Sequence, residues 1–173
     1  MTGTLASGNR KPRALVIVHS YHHGNTKKVA ESMARALEAE IRTQNQVKPA
    51  LLEEYDLLGF GAGIDSGRHY RPILDLADRL PPGAGRQAFI FSTCGIPAAF
   101  ARGQEFERQV EANHAALRSR LRDRGYEIAG EFSCVGFNTN SFLRFFGGLN
   151  KGRPDAGDLR RAEEFALSLT REV

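Results

Sequence analysis

Tryptophan is absent from this chain, and cysteine nearly so: Cys94 and Cys134 are the only two in 173 residues. Two cysteines cannot build a disulfide framework, and they fit a reduced, cytoplasmic protein. No apolar run approaches the roughly 18 residues that a membrane span needs. Met1 to Pro12 is small and polar, without the apolar centre of a signal peptide. It reads as a flexible N-terminal arm (residues 1–12) ahead of one domain over residues 13–173. Neither sign of charge dominates. The formal net charge is +4, and its basic residues (Lys27-Lys28, Arg118 to Arg124, Arg160-Arg161) lie at helix positions without an aromatic-basic stripe, which argues against nucleic acid. Neither a Ser-His-Asp set nor paired carboxylates can be read, so hydrolysis has no support. His19, His22 and His23 lack an acidic or cysteine neighbour to complete a zinc set.

What is present is a short apolar run, Ala14 to Val18, that ends in a polar turn and passes straight into an amphipathic helix. The first N–H groups of a helix have no intrahelical partner and carry the positive end of its dipole. Such a junction seats a phosphate. The turn adds Ser20, Tyr21, Asn25 and Thr26 as donors around Gly24, where the backbone can approach a ligand closely.

Four helix-period segments alternate with apolar runs along the chain, which predicts an α/β fold with a doubly wound parallel sheet covered on both faces. Strand one is Ala14 to Val18, and the first helix runs near Asn25 to Ile41 through Val29, Met33, Leu37 and Ile41. A weak strand is expected at Val47 to Leu51, then a strand at Tyr55 to Ala62 opening into a glycine-rich loop. A helix from Pro72, a strand at Gln87 to Phe91 and a helix at Phe106 to Arg124 follow. The last strand, Ile128 to Val135, is read with Ile128, Phe132 and Cys134 on one face. Gly136 to Arg153 is irregular, and the last helix starts at Pro154-Asp155. In open parallel sheets ligands sit beyond the carboxyl ends of the strands, so the loops His19 to Asn25, Gly61 to Tyr70 and Ser92 to Phe100 should converge.

With these residues in view, the chain resembles the flavodoxin family, in particular short flavodoxin-like proteins with Ser-x-His-His-Gly-Asn-Thr, here Ser20 to Thr26. Further matches are Tyr55 to Ile64, Phe89 to Gly95, Glu131 to Phe137 and Lys151 to Asp155, so the similarity spans almost everything after residue 12. The resemblance implies a five-stranded sheet of order 2-1-3-4-5 and noncovalently bound FMN. Carried over, Ser20, Gly24, Asn25 and Thr26 would hold the phosphate, with His22 and His23 packed beside the cofactor. Ile64, Asp65, Ser66, Gly67, Arg68, His69 and Tyr70 would flank one side of the isoalloxazine, and Thr93, Cys94, Gly95 and Ile96 the other. Arg68 or His69 would donate toward the ring position where negative charge develops on reduction. There are two departures. Ser20 stands four residues before Gly24 where the family's leading hydroxyl stands three before, and without tryptophan any stacking falls to Tyr70, His69 or Phe100.

Two roles follow from that resemblance. One is a redox carrier between partner proteins, although the basic balance counts modestly against docking on basic enzymes. The other is an NAD(P)H-dependent FMN or quinone reductase using a small electron acceptor, often as a homodimer. A non-catalytic flavin module stays open as well. A response-regulator-like signalling module is the less favoured alternative, because it needs acidic residues where His19-Ser20-Tyr21 stands and an aspartate where Gly61-Ala62-Gly63 stands. Cys94 reads as a packing residue rather than a redox thiol, since no partner cysteine is near in sequence.

Overall fold

The computed structural model describes residues 12–21 and 23–170. The arm proposed over residues 1–12 therefore lies almost wholly outside the described residues, as does His22. The chain runs β1 (Ala14–His19), α1 (Asn25–Leu37), β2 (Glu40–Thr43), β3 (Leu57–Asp65), β4 (Arg68–His69), α2 (Arg71–Ala77), β5 (Gln87–Cys94), α3 (Gly103–Asp123), β6 (Glu127–Val135) and α4 (Ala156–Leu169). Among the described residues the parallel strands lie in the order β2-β1-β3-β5-β6, which is the expected 2-1-3-4-5 winding. The added β4 is a two-residue antiparallel return against Ile64 and Asp65. No helix among the described residues is long and apolar enough to cross a membrane.

Both sheet faces are dry. On one, Val16, Val18, Phe89 and Phe91 meet Val29 and Met33 of α1 and Ala162 and Ala166 of α4. On the other, Leu15, Ile17, Phe60 and Ile90 meet Ile73 and Leu76 of α2 and Leu117 and Leu121 of α3. The glycine alternation in β3 has a packing cause. A Cβ on Gly59 would sit 2.3 Å from the Phe89 ring, and one on Gly61 would sit 2.2 Å from the Phe91 ring. Two phenyl rings thus fill the room that Gly59 and Gly61 leave on that face of the strand.

Three expectations are corrected. The first helix stops at Leu37, because Glu38 takes a left-handed conformation (φ 53) and Ala39 N–H bonds back to the Ala34 carbonyl, a helix-ending arrangement. The freed chain pairs at once with β1, so the second strand is Glu40–Thr43, and Pro49–Glu54 is 3-10 helix rather than strand. In β6 the register slips: Ala88 pairs with Ile128 but Phe89 with Gly130. The extra residue, Ala129, turns Ile128 to the α2/α3 face while Phe132 and Cys134 stay on the α1/α4 face. The last helix begins as read, with Asp155 and Asp158 forming a reciprocal capping box.

Candidate functional site

At the carboxyl ends of β1, β3, β5 and β6 the loops enclose a cleft with about 460 Å³ of space open to solvent. Its floor and walls come from Tyr21, Asn25, Thr26, Gly63, Ile64, Tyr70, Thr93, Cys94 and Gly95, together with Gly136, Phe137, Asn138 and Asn140. Here α1 starts after His23 (φ 54) and Gly24 (φ 66), both left-handed. Asn25 and Thr26, the first two residues of α1, follow this kink and line the cleft. Ser20 Oγ accepts the Lys27 N–H at 3.3 Å, so this hydroxyl braces the turn from within.

Thr26 and Thr93 share a buried hydroxyl–hydroxyl bond of 2.8 Å that ties the α1 turn to β5. When Thr93 is its donor, the Thr26 O–H is left free for a ligand. Asn25 Nδ2 donates to the Phe137 carbonyl at 2.8 Å. Its Oδ1 is buried and has no hydrogen-bond partner among the described residues. An orphaned acceptor is costly, and here it belongs to a residue that lines the cleft, where a hydroxyl-bearing ligand would satisfy it.

The sequence-predicted residues divide clearly. Asn25, Thr26, Ile64, Tyr70, Thr93, Cys94 and Gly95 meet at the cleft, with Ser20, His23 and Gly24 in the turn beside it. Asp65, Ser66, Gly67 and Arg68 form an exposed hairpin tip away from the cleft lining. His69 faces the opposite way. It is 1% exposed, its Nε2 lies 3.3 Å from the Phe91 carbonyl, and its ring packs 4.8 Å from that of His114. Ile96 is not part of the cleft lining, and its carbonyl accepts from Asn150 Nδ2 at 2.7 Å. The aromatic wall is Tyr70, packed over Gly63, where a Cβ would be 2.8 Å from the ring.

Sequence reasoning missed the fourth wall. The loop after β6 supplies Gly136, pressed against Asn25, and Asn138, pressed against Gly95, while Thr139 bonds His23 Nε2 at 2.7 Å. The two glycines are the only local signal, because each must lack a Cβ to admit an asparagine.

The family model for the flavodoxin domain matches residues 16–124. The chain belongs to the flavodoxin family. An uncharacterised protein of Methanocaldococcus jannaschii is 40% identical over 157 residues, which cover 91% of this chain and 97% of that one. Among solved structures, a flavodoxin from the domain Archaea superposes with a TM-score of 0.66 at 16% identity, covering 92% of this chain and 97% of its own. Oxidised Flavodoxin 2 from Bacillus cereus gives 0.64 at 16% identity, covering 93% and 99%. At the level of the family, this is the fold of FMN-binding electron-transfer proteins.

Beneath the cleft this flavodoxin carries a buried polar chain that was not read from the sequence. Ser92 Oγ is 2.8 Å from His114 Nε2, and His114 Nδ1 is 2.9 Å from Glu131 Oε2. This is the serine–histidine–carboxylate order that the sequence did not reveal, assembled from β5, α3 and β6. Ser92 and His114 are 0% exposed, so the serine cannot reach a substrate carbonyl. Burial alone would raise the Glu131 carboxyl, but hydrogen bonds from Arg118 and His114 outweigh it and take it down to about 2. His69 goes down to about 3, first through burial and then through His114 beside it. Burial pushes the Cys94 thiol up, which keeps it protonated at the cleft floor.

Proposed function

We propose that this flavodoxin holds FMN in the cleft and works as an electron-transfer protein, a redox carrier or oxidoreductase. The observation that carries the reading is the unpartnered Asn25 Oδ1 beside the start of α1. The α1 amides and the Thr26 hydroxyl suit a phosphate dianion. Asn25 Oδ1 suits a hydroxyl of the ribityl chain, and the slot between Tyr70 and the Thr93–Gly95 backbone suits a flat ring. When bound, FMN would supply the one- and two-electron chemistry. The chain's own contribution is to anchor, orient and shield. Thr26–Thr93 and Asn25–Phe137 hold the loops at a fixed spacing, and Tyr70 walls off one side.

The absorption spectrum of purified protein incubated with FMN tests this reading. Binding should perturb the flavin bands, and Asn25→Ala or Thr26→Ala should each weaken affinity by about tenfold or more, the worth of one hydrogen bond to a charged or buried group. A protein that takes up no FMN refutes the proposal. Adding NADPH without oxygen then separates the roles: rapid bleaching identifies a reductase, and an unchanged spectrum leaves the carrier, reduced by another protein.

A further inference from the structure

The polar chain under the cleft is continuous between two surfaces. Cys94 lines the cleft, and the Ser133 side chain lies beside its thiol. Ser133 Oγ is 2.9 Å from Ser92 Oγ, and Ser92 leads through His114 to Glu131. Glu131 also accepts from Arg118 and borders a solvent groove beside α3. We propose that Cys94, Ser133, Ser92, His114 and Glu131 form a proton relay between the cofactor cleft and this groove. The proposal rests on the FMN reading for its destination, but the path itself lies in the protein.

The bonding pattern sets a direction. The ionised Glu131 can only accept, so an imidazole carrying one proton holds it on Nδ1 and accepts at Nε2 from Ser92. Ser92 in turn accepts from Ser133, and Ser133 from the Cys94 thiol. Every donor in the resting chain points away from the cleft. Bound FMN would supply the two-electron chemistry toward an external acceptor, and a proton released into the cleft on its oxidation would enter at Cys94. Each hydroxyl then passes on its own proton as it receives one, and His114 becomes an imidazolium. Its Nδ1 proton leaves through Glu131, which is too acidic to retain it, into the water of the groove. Reduction runs the same chain backwards.

A network kept for stability alone has no need of this continuity. These side chains point to the α2/α3 face of the sheet, where Ile90, Phe60 and Leu117 pack as ordinary hydrophobic core. Apolar residues in their place would avoid the cost of desolvating a serine pair, a histidine and a carboxylate. Ser133 also borders the groove, but among the five residues only His114 carries two ring nitrogens, so it can take a proton on one side and release one on the other. The groups facing it are Glu131 and Arg118 on one side and His69 and Ser92 on the other.

The test uses the FMN-loaded protein, photoreduced and then mixed anaerobically with ferricyanide in H2O and in D2O. Wild type should oxidise more slowly in D2O. Cys94→Ala and His114→Gln should slow oxidation by roughly tenfold or more, the usual worth of a placed acid or base. Cys94→Ser, which restores a protic group, should recover the rate. Wild-type rates and isotope effects in Cys94→Ala and His114→Gln, with unchanged flavin spectra, overturn the relay. A second readout needs no cofactor, so it stands apart from the fate of the FMN proposal. Nitrogen-15 NMR of flavin-free protein should show the neutral His114 ring as the Nδ1–H tautomer. A proton resting on Nε2 overturns it.

Discussion

Gly61→Ala tests whether the close approach of the Phe91 ring to β3 governs the sheet's packing. The new methyl would lie 2.2 Å from two atoms of the Phe91 ring, whereas ordinary contact begins near 3.4 Å, so the ring must retreat by about 1 Å. It has nowhere easy to go. Phe91 is 0% exposed and shares its core with Phe89, Met33, Ala162 and Ala166. Overpacking of this kind costs about 1–3 kcal/mol, and the gain from a stiffer unfolded chain, about 0.4–1 kcal/mol, offsets only part of it. A net loss of about 1 kcal/mol lowers the melting temperature by roughly 2–4 °C for a domain of this size. Urea unfolding of flavin-free protein, followed by circular dichroism, measures it. The double mutant Gly61→Ala/Phe91→Leu should be more stable than the sum of the single effects predicts, by about 0.5–3 kcal/mol, because the smaller side chain makes room for the methyl. Strict additivity, or a harmless Gly61→Ala, would refute the reasoning.

Acid sensitivity follows from His69. Its folded value of about 3 lies below the ordinary 6.5, so the unfolded chain binds the proton first. Stability present above pH 6.5 should be lost as pH falls toward 3, at up to about 1.4 kcal/mol per pH unit. His69→Leu should flatten that slope in urea titrations, and an unchanged slope would count against it. Glu131 adds a loss of the same sign lower down, from about 4.5 toward 2. Glu131→Ala should destabilise by about 3 kcal/mol, because it strands Arg118 and His114; thermal unfolding showing no loss would mean that water replaces the carboxylate freely. Asp155→Ala should cost about 1 kcal/mol through the lost α4 cap and Asp155→Asn less, with equal melting curves for the two variants as the contrary result.

The anchoring end of the cleft was legible because it is local. An apolar strand, a glycine turn and a helix start lie within a few residues of one another, so Asn25 and Thr26 follow from chain order alone. The loops after β3 and β5 were placed by the same logic, yet β4 was invisible, since two residues carry no periodicity. That small return matters: pairing Ile64 with His69 directs the imidazole into the α2/α3 core and leaves Tyr70 at the cleft. Ser92, His114 and Glu131 are separated by 22 and 17 residues and share no motif.

Alternation, helix period and turn chemistry determined by themselves that this chain winds a parallel sheet and ends its strands in ligand-facing loops. Those signals act between near neighbours and survive in any context. Which face each side chain meets was decided only by the folded sheet. Facing depends on register, and register is set by strands distant in sequence, so one extra residue at Ala129 is enough to turn Ile128 away from Phe132 and Cys134.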